Sequence, residues 1–258
     1  MMAASYGVAC PKALPEKTMF RMLRTLPFPL ALAALSIFTA CGGSSSTKFR
    51  LVNAIPNAPQ AVDVLIDGKV VETAVTFPNV TPSTGYLSVS SGSRHLQMFP
   101  TGTTAGAYFD GNVTFNSGNA YTFVATGSFT NNTIVAPQFT DNNTAPTSGN
   151  AELRVVQASP EGLGSVVGQA VDIYIVGPGD PLPATSPDIA SVAYQAASAY
   201  KTFPAGTYDL LLTPAGVQSL NIRIPNASFS SGKIYTYALV DVPGGGAMSG
   251  TPVVLNDN

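Results

Sequence analysis

Charge is scarce in this chain. Lys, Arg, Asp and Glu make up 10% of its 258 residues, against roughly 25% in an average soluble protein. There is one histidine, no tryptophan and only two cysteines. Each shortage excludes something. A net charge of −2 leaves no electrostatic footprint for nucleic acid, so no nucleic-acid partner is expected. Few charges beside 45% hydrophobic residues argue against disorder driven by charge excess. Two cysteines cannot build a disulfide scaffold or a four-cysteine zinc site, and a single imidazole cannot supply a histidine-based one. What the chain does have is neutral polarity: Ser, Thr and Asn contribute 63 residues, and Gly and Pro another 24 and 21.

The N-terminal stretch reads as an address. Lys17, Arg21 and Arg24 precede an apolar run over residues 26–40, which ends at Cys41. A charged segment, a short apolar segment and small residues before a cut make a secretory signal. This run of fifteen residues falls short of the about 20 that span a bilayer. Thr39-Ala40-Cys41 resembles a bacterial lipobox, with Phe38 where Leu or Val is usual. The resemblance implies cleavage between Ala40 and Cys41 and a diacylglyceryl group on the Cys41 thiol, hence a membrane partner reached through the lipid. The plainer alternative is an ordinary signal with Cys41 incidental. Gly42 is not the aspartate of an inner-membrane retention signal, so an outer-membrane destination follows by analogy, on the periplasmic or surface face. Residues 1–18 do not resemble a signal, and Met19 or Met22 is an alternative start.

This address changes the charge balance. Lys12, Lys17, Arg21, Arg24 and one acid, Glu16, precede Cys41, so the remainder carries a net charge near −5. Apart from Cys41 it holds no cysteine, and its stability must come from its core.

The body is written twice. Phe49-Arg50-Leu51-Val52-Asn53-Ala54-Ile55-Pro56 matches Leu153-Arg154-Val155-Val156-Gln157-Ala158-Ser159-Pro160, and Ala61-Val62-Asp63-Val64 matches Ala170-Val171-Asp172-Ile173. Tyr86 then pairs with Tyr200, Gly92 with Gly206, Tyr121-Thr122-Phe123 with Tyr235-Thr236-Tyr237, and Asp141-Asn142 with Asp257-Asn258. A repeat of this length is a whole domain. Short runs rich in Val, Ile, Tyr and Thr alternate with Gly, Pro, Asn and Ser turns. Val62, Val64 and Ile66 share one strand face, as do Tyr208, Leu210 and Leu212, and Asp67-Gly68 is a hairpin signal. Helical periodicity is weak throughout; its best case is residues 189–199. The expectation is an all-β protein: two tandem immunoglobulin-like antiparallel β-sandwiches of about seven or eight strands each. The expected organisation is a signal over 1–40 (its first 18 residues an extension), a lipidated cysteine and tether over 41–48, repeats over 49–143 and 151–258, and a linker over 144–150.

These motifs resemble the bacterial envelope family named domain of unknown function 4397. Arg154–Pro160, Val171–Tyr174, Tyr200–Tyr208 and Gly232–Thr236 carry the pattern well. The first copy departs from it at Ile55 and at Ser90-Ser91-Gly92. The resemblance implies an immunoglobulin-like exported domain and brings no activity or site.

Chemistry is sparse. His95 is the only candidate base for a nucleophile, no G-x-S-x-G elbow accompanies it, and its repeat equivalent is Asp209. It reads as an exposed strand residue, so no catalytic residue is assigned. Asp63 and Asp172 recur, as do Arg50 and Arg154 in the preceding strand, and cross-strand pairs Arg50–Asp63 and Arg154–Asp172 are expected. Asp141-Asn142-Asn143 and Asn256-Asp257-Asn258 offer oxygen atoms suited to calcium, but without a calcium-loop motif they read as turns; no metal or cofactor is expected. The second copy carries two extra stretches, residues 161–169 and a proline-rich loop over 177–188. Pro178, Asp180, Pro181 and Pro183 of the latter are a candidate ligand loop. Tyr194, Tyr200, Tyr208, Tyr235 and Tyr237 could stack on sugars, or pack.

The expected function is a non-enzymatic envelope lipoprotein that binds a protein or glycan or serves a structural role. Two alternatives stand beside it: a carboxylate-dependent hydrolase of envelope polysaccharide, and a passive spacer. Carboxylates clustered in a deep cleft would favour the hydrolase.

Overall fold

A computed structural model describes residues 46–164 and 166–258. The signal, Cys41 and most of the tether lie outside the described residues. No described helix is long and apolar enough to cross a membrane, which leaves β-barrel spans unaddressed.

The described residues form seventeen strands and no helix. In the first repeat an inner sheet centres on β1 (Ser46–Ala54), flanked on one side by β4 (Asn79–Thr81) and β5 (Leu87–Ser90) and on the other by β8 (Ala120–Thr126) and β9 (Gln138–Thr140). Its outer sheet runs β3 (Lys69–Val75), β2 (Val62–Ile66), β6 (Gly92–Pro100), β7 (Phe109–Phe115). In the second repeat the inner sheet is β13 (Lys201–Pro204), β10 (Asn150–Gln157), β16 (Ile234–Leu239), β17 (Val253–Asn256). The outer sheet is β12 (Ile189–Val192), β11 (Val171–Val176), β14 (Gly206–Pro214), β15 (Ile222–Phe229).

Each repeat is thus a two-sheet sandwich, as expected, but not a purely antiparallel one. β1 pairs in parallel with β8, and β10 with β16. β1 also begins at Ser46, inside the stretch expected to be tether, because Ser46–Lys48 pair with Ser88–Ser90. Residues 189–192, at the head of the best helical candidate, form β12 instead. The Asp67-Gly68 hairpin holds: both residues have positive φ, 50° and 73°, the geometry of a type I′ turn.

The two inner sheets face each other, so the body has three apolar layers. Period-two alternation sorts the side chains. Phe49 and Leu51 of β1, with Tyr121 and Phe123 of β8, fill the first sandwich beside Val62, Val64, Leu96 and Met98. Leu153, Val155, Tyr235 and Tyr237 fill the second beside Ile173, Leu210 and Leu212. The intervening positions, Val52, Ala54 and Val124 from one repeat and Val156, Ala158, Ala238, Val253 and Leu255 from the other, form a shared layer between the repeats. Every residue of β8 and β16 is buried. The layer is built mostly of small Ala and Val side chains, buried as fully as those of a domain interior.

Candidate functional site

At one edge of the shared layer lie four buried charges. Arg50 projects from β1 and Arg154 from β10, both 2% exposed, and Asp141 and Asp257 follow the last strand of each repeat. The pairing is exchanged between repeats. Arg50 Nη2 donates to Asp257 Oδ1, and Arg154 Nη2 donates to Asp141 Oδ1 at 2.5 Å. The second nitrogens reach main-chain carbonyls across the junction, Arg50 Nη1 to Asn256 O at 2.8 Å and Arg154 Nη1 to Thr140 O at 3.0 Å. Each Nε donates within its own repeat, to Thr122 at 2.9 Å and Thr236 at 3.0 Å. Those hydroxyls donate onward to Asp141 and Asp257, both at 2.7 Å.

A tyrosine closes each half. Tyr86 Oη donates to Asp141 at 2.8 Å and Tyr200 Oη to Asp257 at 2.6 Å. The guanidinium of Arg50 lies 4.7 Å from the Tyr86 ring centroid, and that of Arg154 lies 4.8 Å from Tyr200. Burial, then the nearby Asp141 carboxylate, pushes the Tyr86 hydroxyl well above the usual phenol range; burial does the same for Tyr200. Both remain phenols that can donate. The cluster is pseudo-twofold, and it answers where the recurring arginines go.

The expected Arg50–Asp63 and Arg154–Asp172 pairs do not form. Arg50 and Arg154 sit on inner sheets and point to the junction, while Asp63 and Asp172 sit on outer sheets and point the other way. β1 and β2 belong to different sheets, as do β10 and β11, so the strands of neither pair are cross-strand neighbours. Asp63 instead accepts from Ala74 N and Gly102 N, both at 2.9 Å. Asp172 accepts from Ser191 N at 2.6 Å and Gly216 N at 2.8 Å. Ala74 and Ser191 carry positive φ, 55° and 52°. Each acid therefore fastens a strained bulge on the edge strand to the turn after β6 or β14. Burial pushes the Asp63 carboxyl up, but hydrogen bonds from Gly102, Ala74 and Thr101 outweigh it and hold the carboxyl below its ordinary value.

The other candidates fall into place around this frame. His95 is partly exposed, its Nε2 2.5 Å from Asp110 Oδ1. Its equivalent, Asp209, is buried rather than solvent-facing, because the 177–188 loop folds over it. Gly179 N donates to Asp209 at 2.9 Å, Arg223 Nη1 pairs with it, and Arg223 Nη2 donates to Asp180 O at 2.7 Å. Gln218 reaches Pro183 O at 3.3 Å. The candidate ligand loop with Pro178, Asp180, Pro181 and Pro183 is thus pinned down as a cover. Tyr235 and Tyr237 are core residues, Tyr208 packs against Phe203, and Tyr194 Oη approaches Thr126 at 3.3 Å. Asp141 and Asp257, weighed as calcium ligands, face arginines instead.

Two features had no counterpart in the expectations. One is Asp241, buried beside Ser159, whose hydroxyl donates to Oδ1. Burial lifts the Asp241 carboxyl to about 6 despite bonds from Ser159 and Glu161 N. The other is a pocket of about 370 Å³ on the first-repeat side of the junction. The loop over residues 82–86 forms one wall and Val254–Asn256 of β17 the other, with Lys48 at the lip and Arg50 in the floor.

The fold and junction define an all-β double sandwich fused through a buried charge cluster. The family described as domain of unknown function (DUF4397), which the sequence motifs resemble, matches residues 47–167. The match covers the first repeat and runs through β10 to residue 167, although the second copy carries the motifs more fully. No curated protein matches the chain. Among solved structures, a family 26 carbohydrate-binding module from Eubacterium rectale, in complex with maltoheptaose, is 12% identical, with 80% of this chain and 95% of that one covered and a TM-score of 0.23. A putative cell adhesion protein from Bacteroides fragilis is 10% identical, covering 82% and 97%, with a TM-score of 0.18. Function must be read from the chain's own geometry.

Proposed function

We propose that the protein is a non-enzymatic envelope lipoprotein whose fused double sandwich binds or braces another envelope component. The junction cluster carries this reading. A glycoside hydrolase needs two carboxylates open to substrate and, at some step, to water. The clustered pair in this molecule, Asp141 and Asp257, has side chains 0% exposed, each held by an arginine. Their chemistry serves to fix the two repeats as one body. Acylation of Cys41 would anchor that body stably, since two or more chains suffice, at the outer membrane on its periplasmic or surface face.

The test is to crosslink the native lipoprotein in its own envelope, and to incubate the immobilised protein with envelope polysaccharide. Retention of a protein or glycan without new reducing ends is expected. Steady release of reducing ends would overturn the reading in favour of a hydrolase. Retention of nothing would favour the passive spacer, which the same rigid junction fits. Separately, Cys41→Ser is expected to release the protein from the membrane fraction and lower its mass by the acyl groups.

A further inference from the structure

We propose that the junction pocket binds an acidic saccharide, with Lys48 pairing its carboxylate; this deepens the binding-module reading and rests on it. The duplication supplies an internal reference. Lys48 corresponds to Glu152, two residues before the matched arginines Arg50 and Arg154. In the second repeat that position is closed: Glu152 accepts from Asn142 Nδ2 at 3.0 Å and from Thr202 Oγ1 at 3.1 Å. The chain before Tyr200 also lies against β10, with Ala197 bridged to Val156 and Ser198 N donating to Val155 O at 2.8 Å.

In the first repeat the same position is open. β1 pairs with Thr81 at Leu51 and with Leu87 at Phe49, so residues 82–86 leave the sheet and return within two residues of β1. This excursion makes the wall of the pocket. Lys48 and Asn256 are exposed at its rim, and neither the ammonium nor the Asn256 amide has a partner among the described residues. The junction is therefore pseudo-symmetric in its arginine–aspartate pairs and asymmetric at this position.

The lining fits a sugar acid. Lys48 bears the one lining side-chain charge that is not already engaged. Arg50 is saturated by Thr122, Asn256 O and Asp257, and serves as floor. Asn256, Ser83 and Thr84 present neutral donors and acceptors suited to hydroxyls, and Val254, 48% exposed, offers an apolar face for ring C–H groups. A volume of about 370 Å³ lies within the range of roughly 300–1,000 Å³ typical of small-ligand sites. A single unpaired ammonium in a body of net negative charge selects for an anion by local complementarity.

The test is calorimetric titration of the full-length protein in detergent with trigalacturonate, galactotriose and inorganic phosphate. Trigalacturonate is expected to bind about tenfold or more tightly than either control, and more weakly as salt rises. Lys48→Glu, which installs the side chain of the second copy, should lower that affinity about tenfold or more without changing Tm. Asn256→Ala should weaken it too, and Glu152→Ala should not. Equal affinity for galactotriose, equal affinity for phosphate, or full binding by the Lys48→Glu variant would overturn the proposal. So would no binding of trigalacturonate by the wild type, even where the envelope retention experiment succeeds; failure of that experiment alone tells against the broader reading.

Discussion

Arg50 touches Asp257 and not Asp63, and double-mutant cycles separate the two relations. Arg50→Ala combined with Asp63→Ala is expected to be additive in urea unfolding. Arg50→Ala combined with Asp257→Ala should be non-additive by about 0.5–3 kcal/mol, since contacting residues couple and distant ones do not. Either single change at the cluster should cost about 3–5 kcal/mol, because it leaves a buried charge uncompensated. Asp241 gives a pH signature. Its folded-state pKa of about 6 lies above the ordinary 3.8, so the folded state holds the proton more tightly than the unfolded chain does. The resulting stability is full below about pH 4 and is lost as pH rises through 6. Wild type should therefore lose stability relative to Asp241→Asn between those limits, as followed by Tm at each pH; parallel profiles would refute it. Asp63 has the opposite sign, and its contribution fades as pH falls. The repeat alignment singled out Arg50, Arg154, Asp63 and Asp172 as recurring residues. It could not assign their partners, because an Arg and an Asp on neighbouring strands of the sequence carry no mark of which sheet each strand joins.

The central strands explain what was legible at the next scale. Alternation in β2 and β14 revealed one apolar face, and those strands lie in outer sheets with one face on a core. In β8 and β16 nearly every position is apolar or Thr, as in Tyr121-Thr122-Phe123-Val124-Ala125. Such runs mark strands buried on both faces, and parallel central pairs share that habit. The signal for a shared layer was therefore present in Leu51-Val52, Val155-Val156 and Ala238-Leu239-Val240, but it is hard to tell from an ordinary core strand without knowing which strands face each other. The proline-rich insertion was legible as a loop and not as a cover, since its fastening to Arg223 and Asp209 comes from chain more than 20 residues away. Arg223→Ala should free it. Cleavage by proteinase K within residues 178–187 is expected to accelerate by about tenfold or more, because local opening governs such cuts, while the second sandwich stays folded. An unchanged rate would mean that the bonds from Gly179 N to Asp209 and from Gln218 to Pro183 suffice to hold the loop.

At the scale of the whole body, the two repeats behave as one. The shared apolar layer and the exchanged charge pairs cross the junction independently of the linker expected over residues 144–150, whose last residue begins β10. Cutting the chain there with an engineered protease site should leave both halves co-migrating in gel filtration and unfolding together in calorimetry; separation into two free sandwiches would show that the junction is too weak to act alone. The exchange also sets an order of events. Arg50 lies in the first strand, and its closest carboxylate lies 207 residues further along the chain. A chain made from its N-terminus presents the first sandwich long before β17 arrives. Until then Arg50 and the Val52, Ala54 and Val124 face have nothing to close against, and such exposed intermediates invite mispairing. The growing chain thus needs shelter until its second half is complete, and the arrival of Asp257 is the event that ends that need.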